Sequence, residues 1–141
     1  MNDKYFLDTN ILIYSVDNLE MIKKNRSLAL VNEGIISRKG VISWQVLQEF
    51  LNVATRKTET AFKPQDLNEY MKKILNPLCE IYPDINLYQN ALEIKLSTNY
   101  SFYDSLILAS AIKAECTILY SEDFQAGQII NGVKVVNPFI D

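Results

Sequence analysis

The chain has 141 residues, close to half of them apolar, with a formal net charge of −3 and no histidine. That length fits a single domain, 1–141, able to bury roughly two-thirds of the surface its unfolded chain exposes. The lack of histidine excludes Ser-His-Asp and Cys-His nucleophilic schemes and His-ligated zinc or iron, and the charge gives no global basic face of the kind that marks a nucleic-acid binder.

Tyr5 to Asp8 is a short run poor in turn residues, which predicts a strand buried on both faces with Asp8 at its carboxyl end. Asn10 is a good N-cap for a short helix from Ile11 to Val16. Asp17-Asn18 breaks it and can cap a longer helix from Leu19 to about Glu33, its apolar side formed by Met21, Ile22, Leu28, Ala29 and Val31. Lys23, Lys24 and Arg26 then read as a solvated face, and Gly34 suits the position just past the helix end. Val41-Ile42 begins a second strand.

Ser43 can N-cap a helix running to about Thr55, with Leu47, Phe50, Leu51 and Ala54 as its core stripe. Glu49 lies off that stripe, as a surface residue would. Its neighbours at i−3 and i+4 are nevertheless Val46 and Val53, so a site role stays open. Residues 55–63 are polar, basic and aperiodic. Pro64 opens another helix, carrying Leu67, Tyr70, Met71 and Ile74 inward and ending at Asn76-Pro77. A third strand, Leu78 to Tyr82, precedes a helix that starts at Pro83-Asp84 and runs to about Ser97.

Ser101 and Asp104 have capping-box spacing at the head of a helix reaching about Glu115. Asp104 also heads a row formed with Ile107, Leu108 and Ala111, so a cap and an inward-facing carboxylate can be the same residue. A carboxylate in a first helical turn is held ionised by the helix dipole. Cys116 to Tyr120 is a fourth strand, followed by Ser121-Glu122-Asp123. Asn131-Gly132 signals a tight turn, and Val133 to Val136 is a last strand before Asn137-Pro138. Cys79 and Cys116 lie in apolar surroundings and read as buried free thiols. No apolar run approaches the ~18 residues of a membrane span, and the start of the chain lacks a basic-then-apolar leader pattern. A cytoplasmic protein without a membrane partner is expected.

Strands alternating with helices imply an α/β fold with a mainly parallel sheet of four to five strands. Carboxyl ends of its parallel strands then share one edge. Asp8 and Asp123 follow strands directly, and Glu49 and Asp104 sit in early helical turns, so four carboxylates are expected to converge there. Such a cluster repels itself unless a cation holds it. All-oxygen donors favour Mg²⁺ or Mn²⁺ over zinc or copper, which fits hydrolysis of a phosphodiester by a metal-activated water.

The set Asp8-Thr9-Asn10, Glu49, Ser101-Phe102-Tyr103-Asp104, Tyr120-Ser121-Glu122-Asp123-Phe124 and Asn137-Pro138-Phe139 resembles a PIN-domain protein, and within that family the VapC-like toxins of toxin–antitoxin pairs. The resemblance spans essentially the whole chain. It implies a three-layer α/β/α PIN-like fold, Mg²⁺- or Mn²⁺-dependent cleavage of RNA, a homodimer and inhibition by a cognate antitoxin protein. Carried over by motif, Asp8, Glu49, Asp104 and Asp123 are the catalytic metal ligands. Asn10 and Ser121 are polar supports, and Glu122 competes with Asp123 for the fourth position. Arg56, Lys57 and Lys63 in the polar loop are candidates for phosphate contacts.

Three other functions compete. An aspartyl-nucleophile phosphatase needs a second Asp two residues after the first, where this chain has Asn10. A phosphoacceptor receiver module needs an acidic pair at the first strand and an acceptor Asp after the third, for which only Asp84 is at hand. A catalytically silent PIN-like scaffold would keep the fold and lose the chemistry, although all four acids are present.

Overall fold

The computed structural model describes residues 3–56 and 63–140. In chain order the elements are β1 (Tyr5–Leu7), α1 (Thr9–Val16), α2 (Met21–Ser37), β2 (Gly40–Ser43), α3 (Trp44–Ala54), α4 (Pro64–Tyr70), a π-helical turn (Met71–Leu75), α5 (Asn76–Leu78), β3 (Cys79–Ile81), α6 (Ile85–Ser97), α7 (Phe102–Lys113), β4 (Ile118–Tyr120), β5 (Ile129–Ile130) and β6 (Val133–Val136). The strands form one sheet in the order β3-β2-β1-β4-β6-β5. All neighbours pair in parallel except β5 with β6.

β1 is central and fully buried, as its run of apolar residues requires. From β1 the chain proceeds outward to β2 and β3, then crosses back through α6 and α7 to β4 on the other side of β1. Right-handed crossovers in opposite directions put their helices on opposite faces of the sheet. α2 therefore covers one face, where the Tyr5 hydroxyl donates to the Leu30 carbonyl oxygen at 2.7 Å. α7 covers the other, and its residues from Ser105 through Ala111 are all buried because α6 packs on its outer side. The reversal of strand order opens a crevice at the carboxyl ends of β1 and β4, where ligands of such sheets bind.

Local chemistry explains most element boundaries. Ser43 caps α3, accepting from the Val46 N–H; Asp84 caps α6 through the Leu87 N–H; Ser101 caps α7 through the Asp104 N–H. Pro64 occupies the first turn of α4. Asn131 and Gly132 both take positive φ, 49° and 86°, as the tight hairpin between β5 and β6 demands. Cys116 is buried and Cys79 half-buried, both as free thiols.

Several expectations are corrected. Asp8, not Asn10, is the N-cap of α1, because its carboxylate accepts the Thr9 N–H and the helix begins two residues earlier than its apolar run. α2 passes through Gly34 to Ser37 and ends on Arg38, at φ 63°. Gly34 is small for packing: a Cβ there would lie 3.0 Å from Gly40 Cα, and one on Gly40 would lie 2.7 Å from Gly34 Cα. Asn76-Pro77 does not end its helix. The preceding π turn, in which the Asn76 N–H reaches the Met71 carbonyl oxygen, widens the backbone just ahead of a proline that an α-helix interior would reject. The buried seam of α3 is Val46, Phe50 and Ala54, with Leu47 and Leu51 at its margin. A sixth strand, β5, is only two residues long and carries no periodic signal.

Candidate active site

Asp8 leaves β1 still tied to β4, its N–H donating to the Tyr120 carbonyl oxygen at 3.1 Å. Its carboxylate is buried at 6% exposure. Oδ1 accepts the Thr9 N–H and Oδ2 accepts the Ser121 hydroxyl, both at 2.7 Å. Burial nevertheless pushes its pKa up from 3.8 to about 6, and the negative charges of Asp123 and Glu49 push in the same direction. The two hydrogen bonds only moderate that rise.

Ser121 is the hub on the β4 side. Besides donating to Asp8, its oxygen accepts the Asp123 N–H at 3.1 Å and the Asn10 amide at 3.5 Å. Asn10 grips the same loop twice, donating to Asp123 Oδ2 at 3.0 Å and accepting the Glu122 N–H at 3.4 Å. On the β2 side Glu49 is half-buried. One of its oxygens accepts the Thr9 hydroxyl at 2.5 Å and the other accepts the Gln45 amide at 3.2 Å. The same Gln45 amide donates to the Tyr103 carbonyl oxygen at 3.2 Å, linking α3 to the first turn of α7.

Asp8, Glu49 and Asp123 thus meet in one crevice with Asn10 and Ser121 between them. Asp104 is half-buried in the first turn of α7, next to Tyr103, and among the described residues no side chain bonds its carboxylate. Glu122 is turned away from the crevice toward α2, bound by Tyr14 and Lys23. Of the suggested phosphate contacts, Arg56 lies at the far end of α3, with its Nε on the Asn52 carbonyl oxygen, and Lys63 is exposed at the start of α4. Lys57 lies outside the described residues. Arg26 is exposed, as a solvated face requires, whereas Lys23 is half-buried and departs from that reading. Lys23 ion-pairs with Glu122 at 2.5 Å, and Arg26 donates to the Pro138 carbonyl oxygen.

Sequence reasoning missed Thr9 and Gln45, which orient Glu49. Gln45 was open to discovery, since it stands one helical turn before Glu49 on the same face. Nothing in the sequence marks Lys23 as a partner of a residue 99 positions away.

The donor set is carboxylate and hydroxyl oxygen throughout, the preference of a hard dication. Burial raises the Asp8 pKa first and the charges of Asp123 and Glu49 add to it, and a bound dication would offset both. Among the described residues no group of three or more acidic or cysteine side chains is already disposed to hold a metal ion. The donor chemistry therefore fits Mg²⁺ or Mn²⁺, while the acids are not closed around a common point.

Asp84, the place a receiver-type phosphoacceptor would need, is occupied otherwise. One oxygen caps α6 and the other ion-pairs with Lys113 at 2.9 Å, which holds its carboxyl below the usual range. Beside the carboxylates lies a cavity of about 490 Å³ lined by Trp44, Gln45, Tyr88, Phe102, Tyr103 and Leu106, among others. It adjoins the crevice through Gln45 and Tyr103. No helix among the described residues is long and apolar enough to cross a membrane.

The fold agrees with that of known proteins. A toxin–antitoxin complex from Klebsiella pneumoniae contains a chain that superposes with a TM-score of 0.65 at 19% identity, covering 96% of this chain and 98% of that one. FitAcB from Neisseria gonorrhoeae gives 0.67 at 16% identity, with 96% and 98% covered. The Mycobacterium tuberculosis toxin VapC20, described as cleaving the sarcin–ricin loop, gives 0.61 at 16%, with 85% and 90% covered. At these identities the likeness is one of fold. No curated protein matches the chain. The family model described as PIN domain matches residues 5–129, most of the sequence, and the chain belongs to the PIN-domain family.

Proposed function

We propose that this protein is a metal-dependent endoribonuclease, the toxin of a toxin–antitoxin pair, with Asp8, Glu49, Asp104 and Asp123 holding Mg²⁺ or Mn²⁺. One observation carries the reading: a buried Asp8 shares its surroundings with the carboxylates of Asp123 and Glu49 at the strand-order reversal of the sheet. Such a crevice repels a phosphodiester unless a cation lies between them. The solved structures described above support the assignment to RNA and to an antitoxin-bound toxin, since one of them cleaves the sarcin–ricin loop and another is a toxin–antitoxin complex.

A bound dication supplies a water of lowered pKa and neutralises charge on the phosphate. The chain's own residues do the positioning. Asp8 is fixed at both oxygens by Thr9 and Ser121, so it cannot swing away from the crevice. Thr9 and Gln45 each hold one oxygen of Glu49, and Asn10 turns Asp123 inward. Fixed acids of this kind lose little orientational freedom when a cation and substrate arrive.

The protein is also read as a homodimer. Trp44, Tyr82, Ile85, Leu92, Leu96 and Tyr103 expose 39–87% of their surface around the β3 end, α6 and the first turn of α7. Apolar surface gathered in this way marks an association face.

Purified protein given Mg²⁺ or Mn²⁺ should cut RNA, and EDTA or Asp8→Asn should abolish cutting while circular dichroism remains native. Equal cleavage by wild type and Asp8→Asn would refute the site. Native Asp8→Asn and wild-type proteins that are both inert toward RNA would instead favour a silent binding scaffold.

A further inference from the structure

We infer that Lys23 is a positioning residue of this site: it holds Glu122 away from the crevice and so seats Asp123 toward Asp8. This rests on the metal-dependent nuclease reading above.

Adjacent acids after β4 leave the sequence ambiguous, and the structure separates their tasks. Both Glu122 oxygens are taken, Oε1 by the Tyr14 hydroxyl at 2.6 Å and Oε2 by Lys23 Nζ at 2.5 Å. The residues on either side, Ser121 and Asp123, face Asp8 and Asn10. Freed from Lys23, the Glu122 carboxylate would keep only the Tyr14 hydroxyl and lose its counter-charge, next in the chain to Asp123.

Lys23 also breaks a local rule. It stands in the first turn of α2, where the positive end of the helix disfavours cations. α2 has no acidic residue in that turn and its N-cap residue, Glu20, makes no side-chain cap bond. Met21 and Ile22 beside it are 54% and 88% exposed. The helix dipole therefore disfavours a lysine here and no core packing requires one, and such local conflicts concentrate at functional sites. The compensation is a built environment. Nζ lies 3.3 Å from the Tyr14 hydroxyl, 4.7 Å from the Tyr14 ring centre and 5.4 Å from the Phe139 ring centre. The two rings meet edge to face at 5.2 Å. α1, α2 and the segment after β6 thus converge on one cation, and that cation on one carboxylate.

Groups that orient metal ligands from behind change metal affinity by roughly 10- to 100-fold when removed. The test is Mn²⁺ binding to the intact protein, read by electron paramagnetic resonance, with urea unfolding recorded for each variant. Wild type should bind and Asp8→Asn should not. Lys23→Met should bind about 10- to 100-fold more weakly, and Lys23→Arg should stay close to wild type. Glu122→Gln should weaken binding no more than Lys23→Met, and the two changes together should cost no more than either alone, since both break one pair.

A lysine that only stabilises the fold would lower the urea midpoint and leave Mn²⁺ affinity unchanged, which would overturn the inference. Loss of Mn²⁺ in Glu122→Gln as complete as in Asp8→Asn would overturn it too, by making Glu122 a ligand. Should Lys23→Met not fold, Glu122→Gln decides: Mn²⁺ affinity lowered, but less than in Asp8→Asn, is the expected result, and affinity equal to wild type overturns the inference. A wild type that binds no Mn²⁺, or an Asp8→Asn that binds as well as wild type, defeats the nuclease reading itself and the inference with it.

Discussion

Asp8 pays for its position in stability. Its carboxyl is raised from 3.8 to about 6, first by burial and then by neighbouring acids. Between about pH 4 and pH 6 the folded chain keeps a proton that the unfolded chain has released, so stability falls as pH rises through that window. Above about pH 6 the full penalty is present, about 2–3 kcal/mol at 1.36 kcal/mol per pKa unit. Asp8→Asn removes the charge and keeps an oxygen for the Thr9 N–H, although its amide crowds Ser121. Without metal, the variant should be more stable than wild type by about 1–2 kcal/mol at pH 7.5, with the gain gone by about pH 4. Urea titrations at the two pH values in EDTA check this, and a variant less stable than wild type at pH 7.5 would contradict it. At this scale the sequence showed which residues were acidic and which strands they followed. It could not divide Glu122 from Asp123, because that division depends on Lys23, 99 residues away in the chain.

At the scale of elements, β1, α3, α6 and α7 were legible from apolar runs and caps, since Ser43, Asp84 and Ser101 all act locally. What failed was any feature set by a distant neighbour. Gly34 looks like a helix terminator in sequence, yet its task is to let α2 approach Gly40 on β2. Pro77 looks like a stop, yet the π turn before it carries the helix on. Gly40→Ala would place a Cβ 2.7 Å from the Gly34 backbone, which cannot rotate out of the way. Overpacking of this kind costs about 1–3 kcal/mol. A urea midpoint equal to wild type would show that α2 and β2 can separate without penalty.

For the whole molecule, an alternating pattern of strands and helices implied a parallel sheet but not the order of its strands. That order follows from the long return through α6 and α7, which brings Ser121 and Asp123 beside Asp8 instead of to a distant edge. The exposed apolar face around α6 belongs to the same scale. Leu92→Glu with Leu96→Glu, at side chains 51% and 87% exposed, should leave the fold intact and shift sedimentation from dimer to monomer. A wild type that sediments as a monomer at micromolar concentration would remove the dimer.

The ends of the RNA fragments test the chemistry of the whole crevice most directly. A water activated at a carboxylate-held metal attacks phosphorus without the neighbouring 2′-hydroxyl. Fragments made by wild type in Mg²⁺ should therefore carry no 2′,3′-cyclic phosphate, and a 2′-O-methyl group at the cut position should not block chemistry. Cyclic phosphate ends, formed equally in EDTA and by Asp8→Asn, would mean that the RNA's own hydroxyl is the nucleophile and that these acids do not hold the catalyst.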